Sequence, residues 1–213
     1  MIAVITGDII ASRSLKNQSI WLHPLEKFLS TIGDSPKDWE IFRGDSFQIE
    51  IPQPEDALVV ALQIKSLLKS LHTGKSDKLK SDLDVRMAIG IGEKQYSSDQ
   101  VSHNNGSAYI NSGEAFDTLK KGRSTLKLSS GKKEFDEPWN IQLGFAANAI
   151  SSWTIATAEL MGILLENPKM TQQEIGKMLG IKQSSVSDRY RGAHLEDFLR
   201  LEEYYRKMIS TLT

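Results

Sequence analysis

WEIFRGDSFQIEI, residues 39–51, decides how the chain is read. Ile41, Ile49 and Ile51 fall on the alternating apolar positions of two short strands. Between them Arg43, Gly44 and Asp45 form a turn where a hairpin should bend. A second carboxylate stands in a similar setting in AVITGDIIASR, residues 3–13, where Asp8 closes an apolar strand. The two acids are 37 positions apart (45 − 8). If the first strand lies beside the hairpin, they become neighbours.

Working outward, residues 2–11 read as a buried strand. Residues 15–32 carry apolar residues at helical steps, with Pro24 expected to kink or split the helix. Residues 54–71 start with Pro54 and two acids, as a helix N-terminus does. VRMAIGIGE, residues 85–93, is a further strand, whose Gly90 and Gly92 suggest close backbone approach. Residues 107–121 read as a helix and STLKLSS as a short strand, with SGKKEFDEP as a polar break after it. From Trp139 to Glu166 one long helix is expected, ended by Pro168. The order strand, helix, hairpin, helix, strand predicts an α+β fold of the ferredoxin-like or palm kind: an antiparallel sheet with helices on one face.

Composition narrows the function classes. With 213 residues the chain has room for one domain plus a small appendage. Net charge is −1, so no global field points to nucleic acid or membrane. Cysteine is absent, which removes disulfides and thiolate chemistry and suits a reducing cytoplasm. The strand-like start predicts no signal peptide, and no apolar run approaches the roughly 20 residues of a membrane helix.

The C-terminal third carries its own pattern. In MTQQEIGKMLGIKQSSVSDRYRGA, Thr171 and Glu174 make a capping box. Gly180 stops the first helix, and a second starts near Gln183, with Val186 and Tyr190 inward. This pattern predicts an all-α helix-turn-helix unit. The candidate DNA contacts are Gln183, Ser184 and Ser187 toward bases, with Lys182, Arg189 and Arg191 toward phosphates. Over residues 169–192, Lys169, Lys177, Lys182, Arg189 and Arg191 stand against Glu174 and Asp188, a local excess of three positive charges. Asp188 works against it. The expected organisation is 1–135, 136–168 as a helical connector, and 169–213 as the DNA-binding part. Packing or dimer contact alone is the alternative use of the helix pair.

Residues 2–121 resemble the class III nucleotidyl cyclases. ITGDIIASR is similar to their first strand, where Asp8 and the Ile9 backbone would hold metal, and FRGDSFQIEI to the hairpin carrying the second metal Asp, here Asp45. VRMAIGIGE and GSAYINSGEAFDTLKK are similar to the strand and helix that follow. With the helix-turn-helix, the whole resembles the SatD-like proteins. The resemblance implies Mg²⁺ or Mn²⁺ at Asp8, Ile9 and Asp45. It also implies a nucleoside triphosphate or cyclic nucleotide as ligand, with Asn111 as a candidate catalytic group. Arg43 and Gly44 are candidate phosphate contacts, and the close approach at Gly90 and Gly92 is expected to serve either phosphate or a bulge. The chain departs from the cyclases in two places. Ile41 stands where adenine-selecting cyclases have Lys, and Ala115 where they have the Arg that steadies the phosphate. Arg43, Lys120, Lys121 or Arg123 are the candidate substitutes. The expected activity is a DNA-binding regulator with a nucleotide sensor, and the alternative is an enzyme making a cyclic or linked nucleotide. A homodimer is the expected assembly.

Overall fold

The computed structural model describes residues 1–12, 15, 17–42, 44–73 and 79–212. Among them are five strands and eight α-helices. The order is β1 (Ile2–Ile10), α1 (Ser19–Leu29), β2 (Trp39–Phe42), β3 (Ser46–Ile51), α2 (Ala57–Ser70), β4 (Asp84–Gly92), α3 (Ser107–Lys121), β5 (Leu126–Ser129), α4 (Lys133–Ser151), α5 (Ile155–Glu166), α6 (Gln172–Leu179), α7 (Gln183–Gly192) and α8 (Leu195–Ile209).

The strands form one sheet in the order β2-β3-β1-β4-β5. β1 lies between β3 and β4 and is antiparallel to both. Its 180° alternation splits its side chains between two faces. Ala3, Ile5 and Ile9 join the large core that also contains Trp21 and Leu25 of α1 and Leu58, Leu62 and Leu68 of α2. Val4 packs instead with Ala108 and Tyr109, and Ala88 of β4 with Ala115, Phe116 and Leu119. Helix α3 therefore covers the opposite face, and helices lie on both faces rather than one. β5 pairs with β4 in parallel, so the sheet is mixed, not purely antiparallel. The α3 connection is what permits this, because a parallel neighbour needs a crossover.

Gly90 and Gly92 face α3. A Cβ on Gly90 would stand 2.2 Å from the Ala108 carbonyl oxygen, and one on Gly92 2.4 Å from Ser107 Oγ. The two glycines let the first turns of α3 lie directly on β4. That space is filled by Ser107, Ala108 and Ser112 of α3, so neither residue offers a phosphate the close approach that was one expectation.

Two helical expectations also change. Pro24 sits inside an uninterrupted α1. The expected single helix from 139 to 166 is two: α4 ends at Ser151, and Thr154 Oγ1 accepts from the Thr157 N–H to start α5. α4 also begins six residues before Trp139, within the stretch read as a polar break, with Pro138 near its start. Asn140 of α4 accepts from Leu128 N and donates to Leu128 O, both at 2.8 Å. It thereby satisfies the open edge of β5, which would otherwise be a pairing hazard.

Packing runs on without a break across the expected boundaries at 135 and 168. Trp139, Ile150, Met161, Ile175, Val186, Phe198 and Tyr205 belong to the same buried cluster as the sheet. Tyr205 Oη donates to the Pro54 carbonyl at 3.0 Å, and Arg206 pairs with Asp56 at 2.6 Å, so α8 braces the chain just before α2. Among the described residues no helix is long and apolar enough to cross a membrane.

Candidate functional site

Asp8 stands at the end of β1 on the α3 face, directly opposite Ser46 of β3 and Arg86 of β4. Asp45 is therefore one residue from its partner across the ladder. The hairpin bend is tied to β1 by Ile9 N–H, which donates to the Asp45 carbonyl at 2.9 Å. Ser12 Oγ donates to Asp45 Oδ2 at 3.0 Å. Gly44 turns the chain with φ 85°, a conformation a side chain would strain. The two acids thus share one end of one sheet. Arg43 lies outside the described residues.

Asp8 has a partner that the sequence reading missed. Arg86 Nη1 lies 3.3 Å from both Asp8 oxygens, with about a quarter of each side chain exposed. Only one guanidinium nitrogen makes both contacts, so this is not the parallel two-nitrogen fork of a strong Arg–carboxylate pair. Arg86 Nε is buried with no hydrogen-bond partner among the described residues. The signal was present in VRMAIGIGE: a charged residue in phase with Ala88 and Gly90 in a central strand has to meet an opposite charge. Burial pushes the Asp8 carboxyl above the usual carboxylate range. Arg86 and Lys120 pull it down and Asp45 pushes it up, and the upward effects prevail. Lys120 comes from the last turn of α3 and lies over the Phe116 ring at 4.5 Å. Deeper on the same face, the Thr6 and Ser112 hydroxyls are 3.0 Å apart, and Gln48 Nε2 donates to Thr6 Oγ1 at 3.3 Å.

Asn111 does not join this cluster. Its Nδ2 donates to the Ile91 carbonyl at 2.8 Å, near the other end of β4. Gly90 is opposite Val4, four residues from Asp8, or roughly 13 Å along the strand. Asn111, Gly90 and Gly92 therefore sit apart from Asp8 within one chain. A second buried polar cluster lies on the same face: Glu50 accepts from Lys94 Nζ at 2.8 Å, from Asn104 Nδ2 at 3.2 Å and from Tyr109 Oη. Burial, and then the bond to Glu50, pushes the Tyr109 hydroxyl up. Its polar groups satisfy one another and fasten residues 93–106 to the sheet.

Two carboxylates suit Mg²⁺, which takes one or two protein carboxylates and completes its shell with water and phosphate oxygens. Among the described residues no third acid or histidine joins them to make a closed metal cage. Asp8 and Asp45 fit a metal that arrives with phosphate better than a permanently held one.

The second candidate surface is built by α6 and α7. Thr171 Oγ1 accepts from the Glu174 N–H, and the Glu174 carboxylate accepts from the Thr171 N–H at 2.8 Å, so the capping box is formed. The Thr171 hydroxyl also donates to the Glu174 carboxylate at 2.7 Å, and that bond first, then the one from the Thr171 N–H, holds the Glu174 carboxyl below its ordinary value. Gly180 ends α6 with φ 65°, in the left-handed region. Ile175 and Val186 are fully buried between the helices. Lys182, Gln183, Ser184 and Arg191 are exposed, and Ser187 and Arg189 are half-buried. Arg191 pairs with Asp188 at 3.1 Å. Gln183 Nε2 donates to Gln172 Oε1 at 2.8 Å, joining the first residues of the two helices.

The sequence model of the SatD family matches residues 1–209. No curated protein and no solved structure matches the chain.

Proposed function

From a chain that belongs to the SatD family over residues 1–209, we propose a DNA-binding regulator whose sheet carries a sensor for a nucleotide with Mg²⁺. The observation that carries the DNA-binding reading is the α6–α7 pair: a capped first helix, a left-handed glycine turn and a second helix whose N-terminal residues are exposed. These features support a helix-turn-helix reading, in which the second helix would enter the major groove with its first residues toward base edges. Lys182, Arg189 and Arg191 would contact phosphates, and Gln183, Ser184 and Ser187 bases. Cationic neutralisation of phosphates makes such binding salt-dependent. Titrating random duplex DNA at two salt concentrations tests it. Affinity that falls as salt rises is expected, and affinity indifferent to salt refutes phosphate contacts.

The sensor reading is supported by the adjacency of Asp8 and Asp45 and by the strand order, which matches that of a palm or ferredoxin-like βαββαβ unit over β1 to β4. Asp8 and Asp45, with the Ile9 backbone, would hold Mg²⁺ brought in with phosphate. Mg²⁺ would supply charge neutralisation there. Arg86 and Lys120, whose charges act on Asp8, would face the phosphate oxygens in the role left open by Ala115. Thermal shift with each triphosphate, with and without Mg²⁺, checks this on wild type and Asp45→Ala. A Mg²⁺-dependent rise in the wild type alone is expected, and no rise with any nucleotide refutes the sensor. The alternative is an enzyme making a cyclic or linked nucleotide. It is favoured by the same acid pair, and pyrophosphate release from a triphosphate would establish it. The remote Asn111 leaves that reading second within one chain, and a homodimer is the assembly in which two copies could share groups.

A further inference from the structure

We infer that Gln183 reads an adenine in the major groove and that Gln172 fixes the orientation in which it does so. The inference rests on the helix-turn-helix reading and deepens it. An amide has two N–H donors and one carbonyl acceptor. One Gln183 Nε2 hydrogen is taken by Gln172 Oε1 at 2.8 Å. The other hydrogen and Oε1 make no hydrogen bond among the described residues, and the side chain is exposed at the start of α7. What remains is one donor beside one acceptor.

Adenine alone presents the matching pair on its groove edge, an N7 acceptor beside an N6 amino donor. Guanine offers two acceptors there, N7 and O6. An unrestrained glutamine could turn its amide to donate to guanine. With one hydrogen held by Gln172, Gln183 can give guanine a single donor, and its Oε1 would then face the guanine O6, acceptor against acceptor. Gln172 is thus a positioning residue whose contribution is discrimination between bases rather than affinity. It is the first residue of α6, and α6 and α7 pack against each other through Ile175 and Val186, so the two amides are held in register by buried side chains.

The full-length protein is used to select duplexes from a library with a randomised core. Binding is then measured by anisotropy on the selected duplex, on each single-base replacement, and on versions with 7-deazaadenine, which lacks the N7 acceptor and keeps the N6 amine. One adenine is expected whose 7-deaza replacement weakens wild-type binding on the order of tenfold. Gln183→Ala, with an unchanged melting curve, should bind adenine and 7-deazaadenine duplexes equally. Gln172→Ala should keep most of the affinity for the adenine duplex while its preference for adenine over guanine falls. DNA binding without a selected adenine, or an adenine preference that survives in Gln183→Ala, overturns the inference and leaves the helix-turn-helix standing. Absence of DNA binding at low salt overturns both.

Discussion

Replacing Lys65 with methionine tests the buried link between α2 and the sheet. Lys65 is fully buried, and its ammonium has three acceptors: Asp84 Oδ1 at 2.9 Å, the Val85 carbonyl at 2.8 Å and Thr125 Oγ1 at 2.9 Å. Each of its hydrogens is thereby used. Burial lowers its proton affinity, and Asp84 opposes that. Methionine fills much of the same volume, so no large cavity arises. It leaves Asp84 with the Val85 N–H at 2.7 Å and Lys69 only at 3.9 Å. Removing one partner of a buried pair costs about 3–5 kcal/mol, because the other charge is stranded. For a chain of this size that is a fall of roughly 6–20 °C in melting temperature. Adding Asp84→Asn removes the stranded charge and should recover about 1–2 kcal/mol. Urea unfolding of the wild type, both single variants and the double variant reads the cycle. A Lys65→Met protein within about 1 kcal/mol of wild type would refute the reasoning. So would a double variant less stable than the Lys65→Met single.

Three further outcomes follow from the same geometry. Asp8→Asn should raise the urea midpoint at pH 7, because the folded Asp8 carboxyl binds its proton more tightly than the unfolded one and its ionised form is a cost. Below the unfolded carboxyl value both states are protonated and the gain should vanish, so equal gains at pH 7 and in acid would contradict it. Gly90→Ala places a Cβ 2.2 Å from the Ala108 carbonyl and should cost about 3 kcal/mol or displace α3, seen as lost amide protection over residues 107–112. Glu174→Gln should make α6 insensitive to acid, whereas the wild-type cap, with its depressed carboxyl, weakens as pH falls through that value. Helix content followed from pH 7 to 3 distinguishes the two.

The strands were legible because their signals are local. Ile41, Ile49 and Ile51 alternate, Gly44 supplies the bend, and Asp8 falls opposite Ser46 beside it. The cap at Thr171 and the stop at Gly180 were legible for the same reason. What was hidden depends on who meets whom across space. Arg86 is an ordinary strand residue until β4 is laid against β1, where it becomes the counter-charge of Asp8. Gly90 and Gly92 announce a close approach but do not say to what, and the visitor is α3 rather than phosphate. Lys65 looks like a polar position on an amphipathic helix, and burial on both sides of α2 is what the periodicity conceals. The split between α4 and α5 was missed because the apolar spacing continues through it, while the Thr154 cap is a single polar residue.

The bond from Tyr205 to Pro54 joins positions 151 residues apart. On a ribosome adding about 5–20 residues each second, the segment around α2 waits roughly 8–30 s for the helix that covers it. During that interval Pro54 and Asp56 lack the α8 partners they have in the finished fold. Protease resistance of stalled nascent chains should therefore appear only once α8 has cleared the exit tunnel.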